Sequence, residues 1–110
     1  MKLYLNSKET AINVKKAEGL FQRAAGLIPL KKMKDNECLV FDRCNSIHTF
    51  FMRFPIDVVF CSADGVVTSA ARVVKPWRFA FDFKASFTVE LQSGLAEGLG
   101  IREGCIIKFN

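Results

Sequence analysis

The chain has 110 residues, half of them hydrophobic and a quarter charged, with a net charge of +5 and a pI of about 9.2. This is the length of one domain, residues 1–110, able to bury roughly two-thirds of its unfolded surface without disulfides. No apolar run approaches the roughly 18 residues of a membrane span. Eleven Phe stand against one Trp and one Tyr; phenyl rings have no polar handle, so most are expected in the core. The basic balance admits an anionic partner. The charges are dispersed along the chain, and Lys31, Lys32 and Lys34, followed at once by Asp35 and Glu37, read as a solvated loop.

Leu3 and Leu5, then Ile12 and Val14, alternate with polar residues around Asn6-Ser7-Lys8, which predicts an N-terminal hairpin. From Ala17 to Ile28 the period changes. Leu20, Ala24, Leu27 and Ile28 share one face of a short helix that Pro29 ends. Strand-like runs follow at 37–41, 47–52 and 57–62, and Asp64-Gly65 predicts a tight hairpin to a strand over 66–74. Residues 75–85 contain Pro76 and read as a loop. Phe87, Val89 and Leu91 alternate with polar residues as in a half-buried strand. Residues 93–104 are Gly-rich and allow one helical turn at most, and 105–109 close the chain as a strand. The fold expected is α+β and mainly β: a small, barrel-like, mostly antiparallel sheet with one short helix packed on it.

Cysteines at 38, 44, 61 and 105 form no Cys-x-x-Cys pair, so neither a redox motif nor a zinc knuckle is indicated. Free thiols suit a reducing compartment. The opening residues return to charge too soon for a secretory leader, and a cytoplasmic location is expected.

The most informative stretch is 47–60, where His48, Arg53 and Asp57 interrupt an apolar run. Burying such groups costs several kcal/mol each unless they are paired. The simplest pairing joins Arg53 or Arg23 to Asp57 or Glu90 across strands, with Asp57 the first candidate. The other reading is a polar pocket, lined by Arg23, His48, Arg53, Asp57 and Glu90, that captures an anionic or hydrogen-bonding ligand. Cys44-x-x-x-His48 raises a thiol–imidazole dyad, but nothing orients the base. Cys38, Cys44 and His48 lack a fourth ligand for zinc, so no metal or cofactor is expected.

The chain resembles the domain of unknown function 192 family, a group of small prokaryotic domains. The resemblance rests on Arg23-x-x-Gly26-Leu27, Cys38-Leu39-Val40-Phe41, the block from Ser46 to Phe60, Asp64-Gly65-Val66-Val67 and Val89-Glu90-Leu91-x-x-Gly94. Cys61-Ser62 and Gly104-Cys105 depart from the pattern. The resemblance implies an α+β domain with a barrel-like sheet and no particular activity. Three functions stay open. The favoured one is a small non-enzymatic binding or accessory module that holds a small ligand or a protein partner in the pocket beside 47–60. The others are an enzyme using Cys44 or His48, and a weak nucleic-acid binder acting through its positive charge. Trp77, Arg78, Phe79 and Phe81 are the partner-surface candidates. Buried, they are a loop laid over a barrel mouth; exposed, they are the best partner surface on the chain.

Overall fold

The computed structural model describes residues 1–17, 34–50 and 52–110. The helix expected over 17–28, and Arg23 with it, lies outside the described residues. The chain opens with a hairpin. Strands β1 (Lys2–Leu5) and β2 (Lys8–Lys16) pair antiparallel. Asn6 and Ser7 turn between them with φ of 51° and 70°, the left-handed pair that a two-residue hairpin requires.

Strands β3 (Glu37–Asp42), β5 (Ile56–Cys61), β6 (Val67–Val74), β8 (Phe87–Gln92) and β9 (Ile107–Phe109) complete a seven-stranded sheet in the order β6-β5-β8-β3-β2-β1-β9. Every pairing in it is antiparallel except β2 with β3. The sheet curves until its two ends approach. Val66 and Ile106 form an isolated bridge, and Ile107 N donates to Gly65 O at 2.8 Å. The ladder is not continuous there, so the expected barrel-like sheet is a curved mixed sheet that stops short of closure. Helix α1 is one short turn, Leu95–Leu99, inside the Gly-rich 93–104 segment.

Apolar residues pack on both faces of this sheet. Leu3, Ile12, Val40, Val59, Val89, Leu91, Ile101 and Ile107 form one cluster. Ile47, Met52, Ile56, Val58, Phe60 and Ala85 form the other. Strand β5 feeds alternate residues to each cluster, which is why its sequence Ile-Asp-Val-Val-Phe-Cys is buried throughout. A two-stranded ribbon, β4 (Ser46–His48) with β7 (Phe79–Phe81), lies over the second cluster. The strand expected over 47–52 ends at His48 because Thr49 turns inward, with Met52 N bonded to Thr49 O. The 75–85 loop contains β7, since a three-residue strand leaves too short an alternation to read.

Gly65 is the tightest point of the near-closure. Its φ is +87°, and a Cβ there would run into the carbonyl of Ile107. Gly65→Ala is expected to destabilise the fold by about 2–4 kcal/mol in denaturant melts, from left-handed strain plus overpacking. A change under about 0.5 kcal/mol would mean that the two ends of the sheet need not meet.

Candidate functional site

Asp57 is fully buried, and among the described residues it pairs with no arginine. Its Oδ1 accepts from Val73 N at 2.8 Å, and its Oδ2 accepts from Gly94 N at 3.0 Å and Ala96 N at 2.9 Å. The expected ion pair with Arg53 is therefore corrected: Arg53 is exposed, and three backbone amides compensate the carboxylate. Two of them are the open N–H groups of α1, whose N-cap Gly94 has no side chain to cap with. The third belongs to Val73, a β-branched residue at φ 52°, where the β5–β6 register shifts. Asp57 thus ties β5 to β6 and to the turn after β8.

Glu90 sits on β8 between Leu39 of β3 and Val58 of β5, on the face of the second cluster. It is 5% exposed, and no described residue hydrogen-bonds its carboxyl. Burial pushes that carboxyl up to about 8. His48, by contrast, is exposed on the ribbon. Of the five residues expected around one pocket, two are surface groups and two are buried at separate places. The fifth, Arg23, lies outside the described residues.

All four cysteines are unbridged. Burial raises the Cys38 thiol to about 12, with the Glu37 charge adding to it, and raises Cys61 equally by burial alone. Neither is a thiolate at neutral pH. The Cys44 thiol donates to Ser46 O at 3.1 Å, and His48 Nδ1 accepts from Phe50 N at 3.3 Å. Each half of the thiol–imidazole pair is turned to a backbone partner rather than to the other.

The ribbon carries a different kind of site. Ile47 and Ala80 point down to the second cluster, so their strand neighbours point out. Phe79 is 62% exposed, Phe81 55%, Phe83 80% and Trp77 55%, and Phe50 is also exposed. The rings touch in series. His48 stacks on Phe50 at 4.8 Å and Phe50 on Trp77 at 5.7 Å, while Phe79, Phe81 and Phe83 follow at 6.0 and 4.9 Å. Together they expose roughly 500–600 Å² of ring surface. A patch of that size reaches the upper end of what monomers show and is often functional. Leaving it in water forgoes roughly 12–15 kcal/mol of burial. Most phenyl rings were expected in the core; of the nine described, Phe41 and Phe60 are buried, Phe54, Phe87 and Phe109 are half-buried, and Phe50, Phe79, Phe81 and Phe83 are exposed.

Two polar anchors hold the rings up. Thr49 is fully buried; its Oγ1 donates to Lys75 O at 2.6 Å and accepts from Arg78 N at 2.8 Å, while its carbonyl accepts from Trp77 N at 3.0 Å. This clamp presents Trp77 at φ 63°, a strained conformation for a bulky residue and a mark of functional turns. At the other end Asp82 accepts from Ser69 Oγ at 2.6 Å, Thr68 Oγ1 at 2.7 Å and Lys84 N at 3.0 Å. The Ser69 and Thr68 bonds hold its carboxyl below the usual range, and it shapes the turn that carries Phe83. Sequence reasoning missed Thr49 and Asp82, because their partners lie 26 to 29 and 13 to 14 residues away.

The charge is concentrated here too. Residues 43–53 and 75–84 contain Arg43, Arg53, Lys75, Arg78 and Lys84 against the single acid Asp82, so +4 of the net +5 lies on the ribbon and its flanks. All five basic residues are exposed. None of the five lies in β4 or β7 themselves; they flank the two strands in sequence.

Residues 2–109 match the family model DUF192, described as uncharacterized ACR. The UPF0127 protein PF1050 of Pyrococcus furiosus is 34% identical over 94% of this chain and 91% of its own length. Two crystal structures share the fold. A protein of unknown function from Novosphingobium aromaticivorans superposes with TM-score 0.87 at 20% identity, over 98% of this chain and 84% of its own. A protein from Sinorhizobium meliloti, described as a candidate transcription regulator, superposes with TM-score 0.85 at 21% identity, over 97% and 89%.

Asp57→Ala is expected to cost about 3–5 kcal/mol in urea melts, because three buried amides lose a charged acceptor at once. A loss under about 1 kcal/mol would show that water replaces the carboxylate at no cost.

Glu90 generates a pH dependence of opposite sign to the common acidic one. Its folded value lies above the ordinary 4.5, so the unfolded chain gives up this proton first. Stability is full below about pH 4.5, falls as pH rises toward 8, and levels off above it, a loss on the order of 3–5 kcal/mol. Glu90→Gln should remove most of that slope between melts at pH 5 and pH 8.5. An unchanged slope would assign it to another group.

Proposed function

We propose, for a chain that belongs to the DUF192 family of uncharacterised domains, a non-enzymatic role as a binding module that docks an anionic partner on the outer face of the β4–β7 ribbon. The observation that carries this is the run of exposed rings on a braced turn, with exposed Lys75, Arg78 and Lys84 next to it in sequence. A ring face that forgoes burial while Thr49 and Asp82 hold it rigid is already organised for association, which lowers the ordering cost of binding. The basic rim steers an anionic partner toward it. His48 belongs to this face through its stack on Phe50; Arg53 is an exposed residue that follows β4. Asp57 serves the fold instead, and Glu90 is a buried acid of the sheet. Trp77, Arg78, Phe79 and Phe81 form the contact centre, with Phe83 at the tip.

Enzymatic use of Cys44 and His48 finds no support in a thiol and an imidazole each bonded to backbone. No helix among the described residues is long and apolar enough to cross a membrane. The four unbridged cysteines fit the reducing cytoplasm, and we place the protein there.

A photo-crosslinking side chain at position Phe83, compared with one at Lys108 on β9, tests the reading in cells. Adducts are expected from the ribbon position alone, and they should fall several-fold when Arg78→Glu and Lys84→Glu reverse the rim charge. Equal adducts from both positions, or indifference to the charge reversal, would overturn it.

A further inference from the structure

We infer that the ribbon face binds single-stranded nucleic acid, DNA or RNA; the inference rests on reading that face as the docking surface. Unpaired bases bind by stacking on aromatic rings while basic side chains track the phosphates, a mode that is tolerant of sequence. The ribbon supplies both parts. Phe79, Phe81 and Phe83 recur at every second residue, and their ring centroids lie 6.0 and 4.9 Å apart, forming one continuous outward track. In sequence Lys75 and Arg78 precede that track and Lys84 follows it, all exposed; Arg78 Nη1 also donates to the carbonyls of Pro76 and Trp77.

The same face is not purely apolar, which separates a nucleobase from a lipid or an apolar protein surface. Ser46 lies opposite Phe81 and His48 opposite Phe79 in the β4–β7 register, so hydroxyl and imidazole stand among the rings. Phe50 N donates to His48 Nδ1, which leaves Nε2 carrying the proton of the neutral ring. That N–H has no partner among the described residues and is a donor for a base edge. Exposed rings and hydrogen-bonding groups side by side suit splayed bases, whose faces stack and whose edges are open. A duplex hides those faces, so it can use only the basic rim.

The assay is fluorescence anisotropy of labelled 15-mers of dT and of rU with the whole chain, beside a duplex of equal length and phosphatidylglycerol vesicles. Single strands are expected to bind at least tenfold more tightly than duplex at 100 mM salt. The ratio of dT to rU affinity identifies which strand is preferred. The slope of log K on log salt should lie near −3, for about four phosphates. Phe81→Ala and Trp77→Ala should each weaken binding at least tenfold at unchanged melting temperature, and Lys84→Glu should flatten the salt slope. Duplex bound as tightly as single strand, or binding indifferent to Phe81→Ala and Trp77→Ala, overturns the inference. Vesicles bound with no oligonucleotide bound overturns it as well, while leaving the ribbon as a docking face. Loss of position-specific crosslinking at Phe83 would remove that face itself.

Discussion

The Asp57 carboxylate is the interaction on which the rest of the architecture depends. A charge with no exposure survives only if its environment replaces water, and three backbone amides do so here. Those amides come from three places: a strained residue in β6, the turn after β8 and the first turn of α1. Each is a point where regular pairing fails. One side chain therefore satisfies the donors that a bulge and a helix start leave open. The cost of burying the charge and the cost of orphaned amides offset each other, which neither could do alone.

From that junction the sheet can be packed on both faces. β5 runs through the middle, giving Val59 and Cys61 to one cluster and Ile56, Val58 and Phe60 to the other. The second cluster needs a cover, and the β4–β7 ribbon provides part of it through Ile47 and Ala80. A ribbon with one face committed to the core must turn its other side chains outward. The exposed rings are thus a geometric consequence of covering the second cluster with strands. Their being Phe rather than a polar residue is not required by that geometry, and this is the reason to read the face as functional.

Glu90 shows the contrast with Asp57. Both are acids in central strands with almost no exposure. Asp57 meets three donors and Glu90 meets none among the described residues, so one is a fastener and the other a burden that grows with pH. A carboxyl held proton-rich beside an apolar cluster weakens the fold as pH rises toward 8.

Much of the architecture was legible in residue order, because strand alternation and turn chemistry are local. The hairpin at Asn6-Ser7, the Asp64-Gly65 turn, the β8 alternation and the single helical turn near residue 95 all follow from neighbours within a few positions. The importance of the 47–60 block was equally legible, from charges placed in an apolar run. What those charges meet was not. Asp57 finds its donors 16, 37 and 39 residues away, and backbone amides carry no sequence signature that would mark them as partners. The ring face was half legible: Trp77, Arg78, Phe79 and Phe81 stood out in composition, but an aromatic run reads alike whether it covers a core or faces solvent. Only the pairing of Ile47 with Ala80 over the second cluster decided which side of the ribbon faces water, because strand pairing joins residues more than thirty positions apart.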